Sequence, residues 1–365
     1  MTSSKQSDRI FAIDVGDLYL KFLFMENNRA VLWGREELNV IFWRRPLEHI
    51  WEMVQNFFLS WKEKEQGSVV MGFSPSSLKG SFVSHTLVRQ SLDVITAGEE
   101  QALSQEFQKV LEEKALETLS QESGIRKEDF VLERFTVLEK KIDGYTVPSF
   151  KDFKGKEVTL RGLGVFLLRT HHEILEYIVS QYKLGAPLLS HEAESLTLFA
   201  KEKGLDALFL DVGDTHIGLS LVQEQSLVFS DVLQIGGDRF TQILMRSLGM
   251  KANIAREFKE KYVKGQLSED LRARMKELFL PEARNLITLI QERMQKKGLA
   301  FSYPVFLFGG GALLEELKEA VQEQAQDVSL LLPKDVFAVQ NFPPSLNPQY
   351  TPLVLQMYYA SKKIS

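Results

Sequence analysis

Alternating apolar and polar positions open the chain. The runs "IFAIDVG", "LYLKFLFM" and "AVLWGREEL" are short and β-rich, and the DVGD and ENN clusters between them favour turns, which predicts a β-meander. The apolar period then lengthens. In "PLEHIWEMVQNFFLSWKEKE" residues Leu47, Ile50, Trp51, Val54, Phe57, Phe58 and Trp61 recur at helical spacing, so an amphipathic helix is expected with Pro46 near its N-terminus. "GSVVMGFS" reads as a buried strand and completes a first α/β lobe over residues 9–80.

The texture changes after residue 80. "FVSHTLVRQ" is a strand pattern and "TAGEEQALSQEFQKVLEEKALETLSQESG" a long charged helix whose continuity the pattern leaves open. "FVLERFTVLEKKIDGYTV" and "KEVTLRGLGVFLLR" follow as two more strand regions. Together they predict an inserted βαββ unit over residues 81–168. Helical spacing resumes in "THHEILEYIVSQYKLG", and residues 169–206 are assigned back to the first lobe. A second lobe is expected over 207–340, with a helix-rich part at about 240–298, before a closing helix within 341–365.

Composition narrows the function classes. The 365 residues carry a net charge of −5 and no basic tract, so no nucleic-acid partner is expected. With no cysteine there can be no disulfide, thiol catalysis or thiolate metal site. "MTSSKQSDRI" lacks the apolar core of a signal peptide, and no apolar stretch approaches the ~18 residues of a membrane-spanning helix. A soluble, cytoplasmic protein is expected.

The four letters DVGD occur twice, each time between two strand-like runs: at Asp14–Asp17 and again at Asp211–Asp214. Glycine in such a turn permits unusual backbone angles and lets main-chain N–H groups approach a phosphate. The leading aspartates Asp14 and Asp211 would then sit where Mg²⁺ can be held. A plain Asp-Gly hairpin turn would account for one copy. Two copies are harder to explain that way, and a third glycine turn adds to the case. "FLFGGGALLEEL" takes a strand through Gly309, Gly310 and Gly311 into a helix. "QIGGDRF" places Gly236 and Gly237 at another junction, with Asp238 as the expected cap.

Hairpin, hairpin and glycine turn, in this order and spacing, resemble the phosphate 1, phosphate 2 and adenosine motifs of the actin/Hsp70/sugar-kinase superfamily. The resemblance implies a two-lobed α/β actin-like ATPase (ribonuclease H-like) fold. It implies ATP and Mg²⁺ as cofactors, held by Gly16, Asp17, Lys21, Gly213, Asp214, Thr215, Gly236, Gly237 and Gly309–Gly311. "IAREFKEKY" is similar to the segment beside the ribose and base, which makes Lys259 and Glu260 candidates there. The inserted unit resembles the 1C (SHS2) domain of the FtsA/PilM branch, "LLSHEAESLTLFA" the Glu-containing segment before phosphate 2, and "TPLVLQMYYA" the closing helix. Glu192 is the resulting candidate for orienting an attacking water, with Glu194 as its neighbour.

That branch implies an assembly scaffold, at most a slow Mg-dependent ATPase, that associates with itself and with an inner-membrane protein of cell division or of the type IV pilus. No membrane anchor of its own is evident. A pseudo-ATPase binding module and a small-molecule kinase are the alternatives.

The motifs also depart from the family. Asp17 stands where a Ser or Thr is usual, and Asp214, Thr215 and His216 occupy the second loop. A carboxylate about 4 Å from a phosphate charge costs on the order of 4 kcal/mol at an effective dielectric of 20. Lys21 is the one nearby cation the motifs supply. His171 and His172 are adjacent on a helical pattern and point in different directions, against a metal pair. Trp33, Phe42, Trp43, Trp51 and Trp61 read as core residues, with Trp43 beside Arg44 and Arg45 as an alternative partner surface.

Overall fold

Residues 9–27, 29–37, 52, 56, 68–182, 187–325, 327–337 and 346–364 are described in the computed structural model of the chain. The expected amphipathic helix after Pro46 lies almost wholly outside them, as do Phe42, Trp43, Arg44, Arg45, Trp51 and Trp61.

Two five-stranded sheets are built to one plan. In the first, β1 (Arg9–Val15), β2 (Tyr19–Glu26) and β3 (Arg29–Glu37) form an antiparallel meander, and β4 (Ser68–Phe73) then returns parallel to β1. With a two-residue strand at Leu188–Leu189, β9, the order is β3-β2-β1-β4-β9. In the second, β10 (Ala207–Val212), β11 (Ile217–Gln223), β12 (Ser226–Leu233), β13 (Val305–Phe308) and β14 (Val328–Leu330) run in the order β12-β11-β10-β13-β14. Each DVGD turn therefore joins the central strand of a sheet to its antiparallel neighbour. Both strands are buried on both faces, which explains their nearly unbroken apolar runs.

Between the two sheets in sequence lies a third, antiparallel, of order β5-β8-β6-β7, made of Leu78–Val88, Glu157–Leu168, Phe130–Ile142 and Tyr145–Thr146. One helix, α1 (Ala97–Ser123), covers it without a break. Leu103, Phe107, Leu111, Ala115 and Leu119 recur every four residues along its buried stripe. Thr96 caps its start by accepting from the Glu99 N–H at 3.2 Å, and Gly124 ends it in the left-handed conformation. This sheet is not a free-standing layer, because Leu78 and the β8 residues Leu163, Val165 and Leu167 pack into the core under β1, β2 and β4.

Among the described residues three helices tie the first lobe together: α2 (Arg169–Tyr182), α3 (Glu192–Lys203) and the closing helix, α8 (Thr351–Ile364). In the second lobe α4 (Asp238–Leu248), α5 (Ala252–Val263), α6 (Glu269–Gln295) and α7 (Glu315–Gln322) enclose a core of their own. The lobes also share one: Leu196, Phe199, Leu353 and Met357 of α3 and α8 join Ala12 of β1 to Phe209 and Phe308 of the second sheet. Burying each such side chain is worth about 1.5–3 kcal/mol. Helices α3 and α8 thus form the block on which both sheets rest, with the two acidic turns lining one cavity.

Candidate nucleotide cleft

A cavity of ≈620 Å³ opens between the lobes, within the range of small-molecule sites. Both acidic turns reach it through Asp14, Gly16 and Asp17 on one side and Asp211, Gly213 and Asp214 on the other. Gly309, Gly310 and Gly311 line it from the second lobe, and Lys21, Glu192, Gly237, Lys259 and Glu260 complete the set of sequence candidates on its wall. Thr215 and Gly236 do not line it. A Cβ on Gly236 would fall 2.6 Å from the Asp214 carbonyl oxygen, so this glycine braces the second turn from behind.

The glycines of the two turns act differently from the sequence expectation. Neither Gly16 nor Gly213 takes a positive φ. Each closes an identical tight turn, Gly16 N–H donating to the Tyr19 carbonyl at 3.0 Å and Gly213 N–H to that of His216 at 2.9 Å. A Cβ would stand 3.0 or 3.1 Å from those same oxygens, so close approach is what selects glycine. Gly309 is the one of its run with a positive φ, +84°, and a Cβ there would fall 2.1 Å from Asp211 Oδ1. Asp238 is the first residue of α4 rather than its cap, which is Gly237. The N–H groups of Gly237 and Asp238 are spent on the carbonyls of Gly213 and Asp214, at 2.9 and 2.8 Å.

The floor of the cleft is acidic and enclosed. β-Register sets Asp14 opposite Lys21, and the ammonium donates to Asp14 Oδ2 at 3.0 Å. Gln356, from the closing helix, donates to Asp14 Oδ1 at 3.0 Å through the space that Gly72 leaves free. Both Asp14 oxygens are therefore engaged by protein. Burial works against the Lys21 charge, but Asp14 and then Asp211 outweigh it and hold its pKa above the ordinary lysine value. Asp211 differs, since its Oδ1 is buried with no hydrogen-bond partner among the described residues. Burial raises the Asp211 carboxyl to about 6, with Lys21 opposing. Glu192, the first residue of α3, is raised well above the usual carboxylate range by burial and then by the charge of Asp211, to which its carboxyl hydrogen-bonds. These surroundings favour the protonated form of Glu192, which works against its acting as a base. Glu194 faces away from the cleft floor and is ion-paired with Arg134.

Across the mouth the two acidic turns touch. His216 Nδ1 lies 2.7 Å from Asp17 Oδ2, Thr215 Oγ1 donates to the same oxygen, and Ser76 Oγ donates to Asp17 Oδ1 at 3.2 Å. Burial would raise the Asp17 pKa, but the hydrogen bonds from His216 and Thr215 outweigh it and bring it down to about 2. Further out, Tyr19 Oη and Arg35 Nη2 both donate to the Glu260 carboxylate, at 2.8 and 3.3 Å, while Arg256 pairs with Glu37 at 3.1 Å. Lys259 Nζ donates to the Gly237 carbonyl at 2.8 Å and stands 3.9 Å from Asp214.

Sequence reasoning missed Gln356, Arg35, Arg256 and Lys79, all on the cavity wall, and gave His216 no role. Gln356 carried a signal, being a polar residue among the buried ones of "LVLQMYYA". The basic residues carried none, because only the closure of the lobes assembles them. Lys21 is thus far from the only cation here. Among the described residues no group of three or more His, Asp or Glu side chains converges as a metal site. No described helix is long and apolar enough to cross a membrane.

Residues 190–347 match the family of the type IV pilus assembly protein PilM. Among solved structures, a PilM–PilN type IV pilus biogenesis complex is similar at TM-score 0.65 and 15% identity, over 96% of this chain and 98% of that one. The ethanolamine utilization protein EutJ from Carboxydothermus hydrogenoformans is similar at TM-score 0.51 and 10% identity, over 98% of this chain and 91% of that one. No curated protein matches by sequence. The fold is the two-lobed actin-like ATPase fold, and its PilM likeness in sequence runs from the start of α3 to the threshold of the closing helix.

Proposed function

We propose that this chain, of actin-like fold and PilM-like second lobe, is a nucleotide-binding scaffold of type IV pilus assembly. One observation carries the nucleotide part: both acidic turns and the Gly309–Gly311 turn, far apart in sequence, line a single cavity of ≈620 Å³. ATP and Mg²⁺ fit the residues present. Gly310 has open space where a side chain would be, so backbone can approach a ligand there. The unpartnered Asp211 Oδ1 is a hard oxygen donor of the kind Mg²⁺ takes. Asp211 would hold the ion, with Asp14 acting from behind it because Lys21 and Gln356 occupy its oxygens. The bound ion would neutralise the charge that Asp17 and Asp214 bring to the phosphates. Lys259 and Glu260 would flank the nucleoside, and Glu192, whose surroundings favour its protonated form, would have to ionise before it could activate water. Turnover, if present, would be slow.

The protein would act by recruitment. In the PilM–PilN complex the related chain is seen with a partner, and we assign this one a comparable role on the inner face of the membrane, together with self-association. A second reading has its own support. Glu260 and Asp17, both meant for ligand, are held by the protein's own Tyr19, Arg35, His216 and Thr215, as expected if the cleft is vestigial. Calorimetry with ATP, in millimolar Mg²⁺ and in EDTA, decides between them. Binding that requires Mg²⁺ supports the scaffold with a working cleft; no binding in either condition leaves the binding module without nucleotide.

A further inference from the structure

Among the described residues seven Lys and Arg side chains line the cleft, and six have an acidic partner. Lys21 is taken by Asp14 at 3.0 Å, Arg35 and Lys264 by Glu260 at 3.3 and 3.2 Å, and Arg256 by Glu37 at 3.1 Å. Lys259 has Asp214 at 3.9 Å, and Arg293 pairs with Asp231. The seventh is Lys79, at the start of β5. Its ammonium donates to the Pro75 carbonyl at 3.0 Å and has no carboxylate partner among the described residues.

The place of Lys79 matters as much as its isolation. Its ammonium folds back over the turn between β4 and β5, and that turn is fastened to the first acidic turn at two points. Ser74 N–H donates to the Val15 carbonyl at 2.8 Å, and Ser76 Oγ donates to Asp17 at 3.2 Å. The free cation is thus carried by the segment bound to the residues nearest the proposed phosphates. A half-buried ammonium facing a carbonyl alone has lost hydration without gaining a counter-charge, and an arriving anion would restore the balance. Burial lowers the Lys79 pKa, and no carboxylate offsets it.

We propose that Lys79 is the residue that receives the terminal phosphoryl group of a nucleoside triphosphate bound in the cleft. It supplies there the positive charge that Asp17 and Asp214 remove, and it makes the site discriminate a triphosphate from a diphosphate. The assignment rests on the nucleotide reading above. A simple structural role, holding the turn by its bond to Pro75, would make no such distinction.

The test is calorimetry of wild type, Lys79→Gln and Lys79→Arg with Mg-ATP, Mg-ADP and inorganic phosphate at one ionic strength. Glutamine keeps a donor for the Pro75 carbonyl, so the turn survives; equal melting temperatures check this. The expected result is a loss of about tenfold (about 1.4 kcal/mol) in Mg-ATP affinity for Lys79→Gln. Mg-ADP should be unchanged and Lys79→Arg close to wild type. Equal losses for both nucleotides, or none for either, overturn the assignment while the nucleotide reading stands. A loss confined to inorganic phosphate overturns it in favour of a free-anion site. Failure of the wild type to bind either nucleotide overturns the nucleotide reading and this assignment with it.

Discussion

Replacing Asp17 with Ser should push two measurements in opposite directions. Asp17 holds the two acidic turns together through His216, Thr215 and Ser76, and its side chain is 23% exposed. Its pKa falls from 3.8 to about 2 on folding, which corresponds to about 2 kcal/mol of stability at neutral pH. Because the folded value is the lower one, that contribution is complete above about pH 4 and is lost as pH falls towards 2. Serine removes it, and the melting temperature at pH 7 should drop by about 2–3 °C. Affinity for Mg-ATP should nevertheless rise. The unscreened repulsion of one carboxylate at about 4 Å is on the order of 4 kcal/mol at a dielectric of 20, and His216 and salt leave a part of it. A gain of about tenfold is expected by calorimetry. A variant that melts like wild type would refute the bridging role, and one that binds Mg-ATP more weakly would show that Asp17 assists the nucleotide.

Three further outcomes test the surrounding geometry. Asp211→Asn should abolish the Mg²⁺ dependence of nucleotide binding in titrations with and without EDTA; a persistent dependence would move the ion elsewhere. Gly309→Ala should cost at least about 2 kcal/mol in thermal or denaturant melts, since φ is +84° and its Cβ would stand 2.1 Å from Asp211 Oδ1. Arg134→Ala should destabilise by about 3 kcal/mol because it leaves the Glu194 carboxylate, 7% exposed, without its partner. An unchanged melt would assign that pair no structural weight.

The repeated DVGD turn was legible because it is local: strand, tight turn and strand lie within a dozen residues, and the apolar runs beside Asp14 and Asp211 mark central strands. The long helix was legible for the same reason, though not that it runs unbroken, nor its buried four-residue stripe and Thr96 cap. What could not be read is whatever depends on the lobes meeting. Nothing near Asp17 says that His216, 199 residues on, will touch it. Nothing near Glu260 announces Tyr19 and Arg35. The strand and helix periods between residues 81 and 168 could be read locally, whereas the penetration of Leu163, Val165 and Leu167 into the neighbouring core could not, since apolar residues do not say whose core they join.

The bond from Gln356 to Asp14 joins residues 342 positions apart. Its consequence concerns time rather than space. A chain emerging from the ribosome presents β1 among the earliest of the described elements and α8 as the latest of them, so the first lobe must wait through nearly all of that stretch to receive the helix that seals it. Until then Asp14 lacks one of its donors, and Leu353 and Met357 are missing from the core that joins the sheets. A product cut short before α8 would display the strands of the first lobe without Gln356 on the cavity wall and without the shared core that holds the second sheet against them.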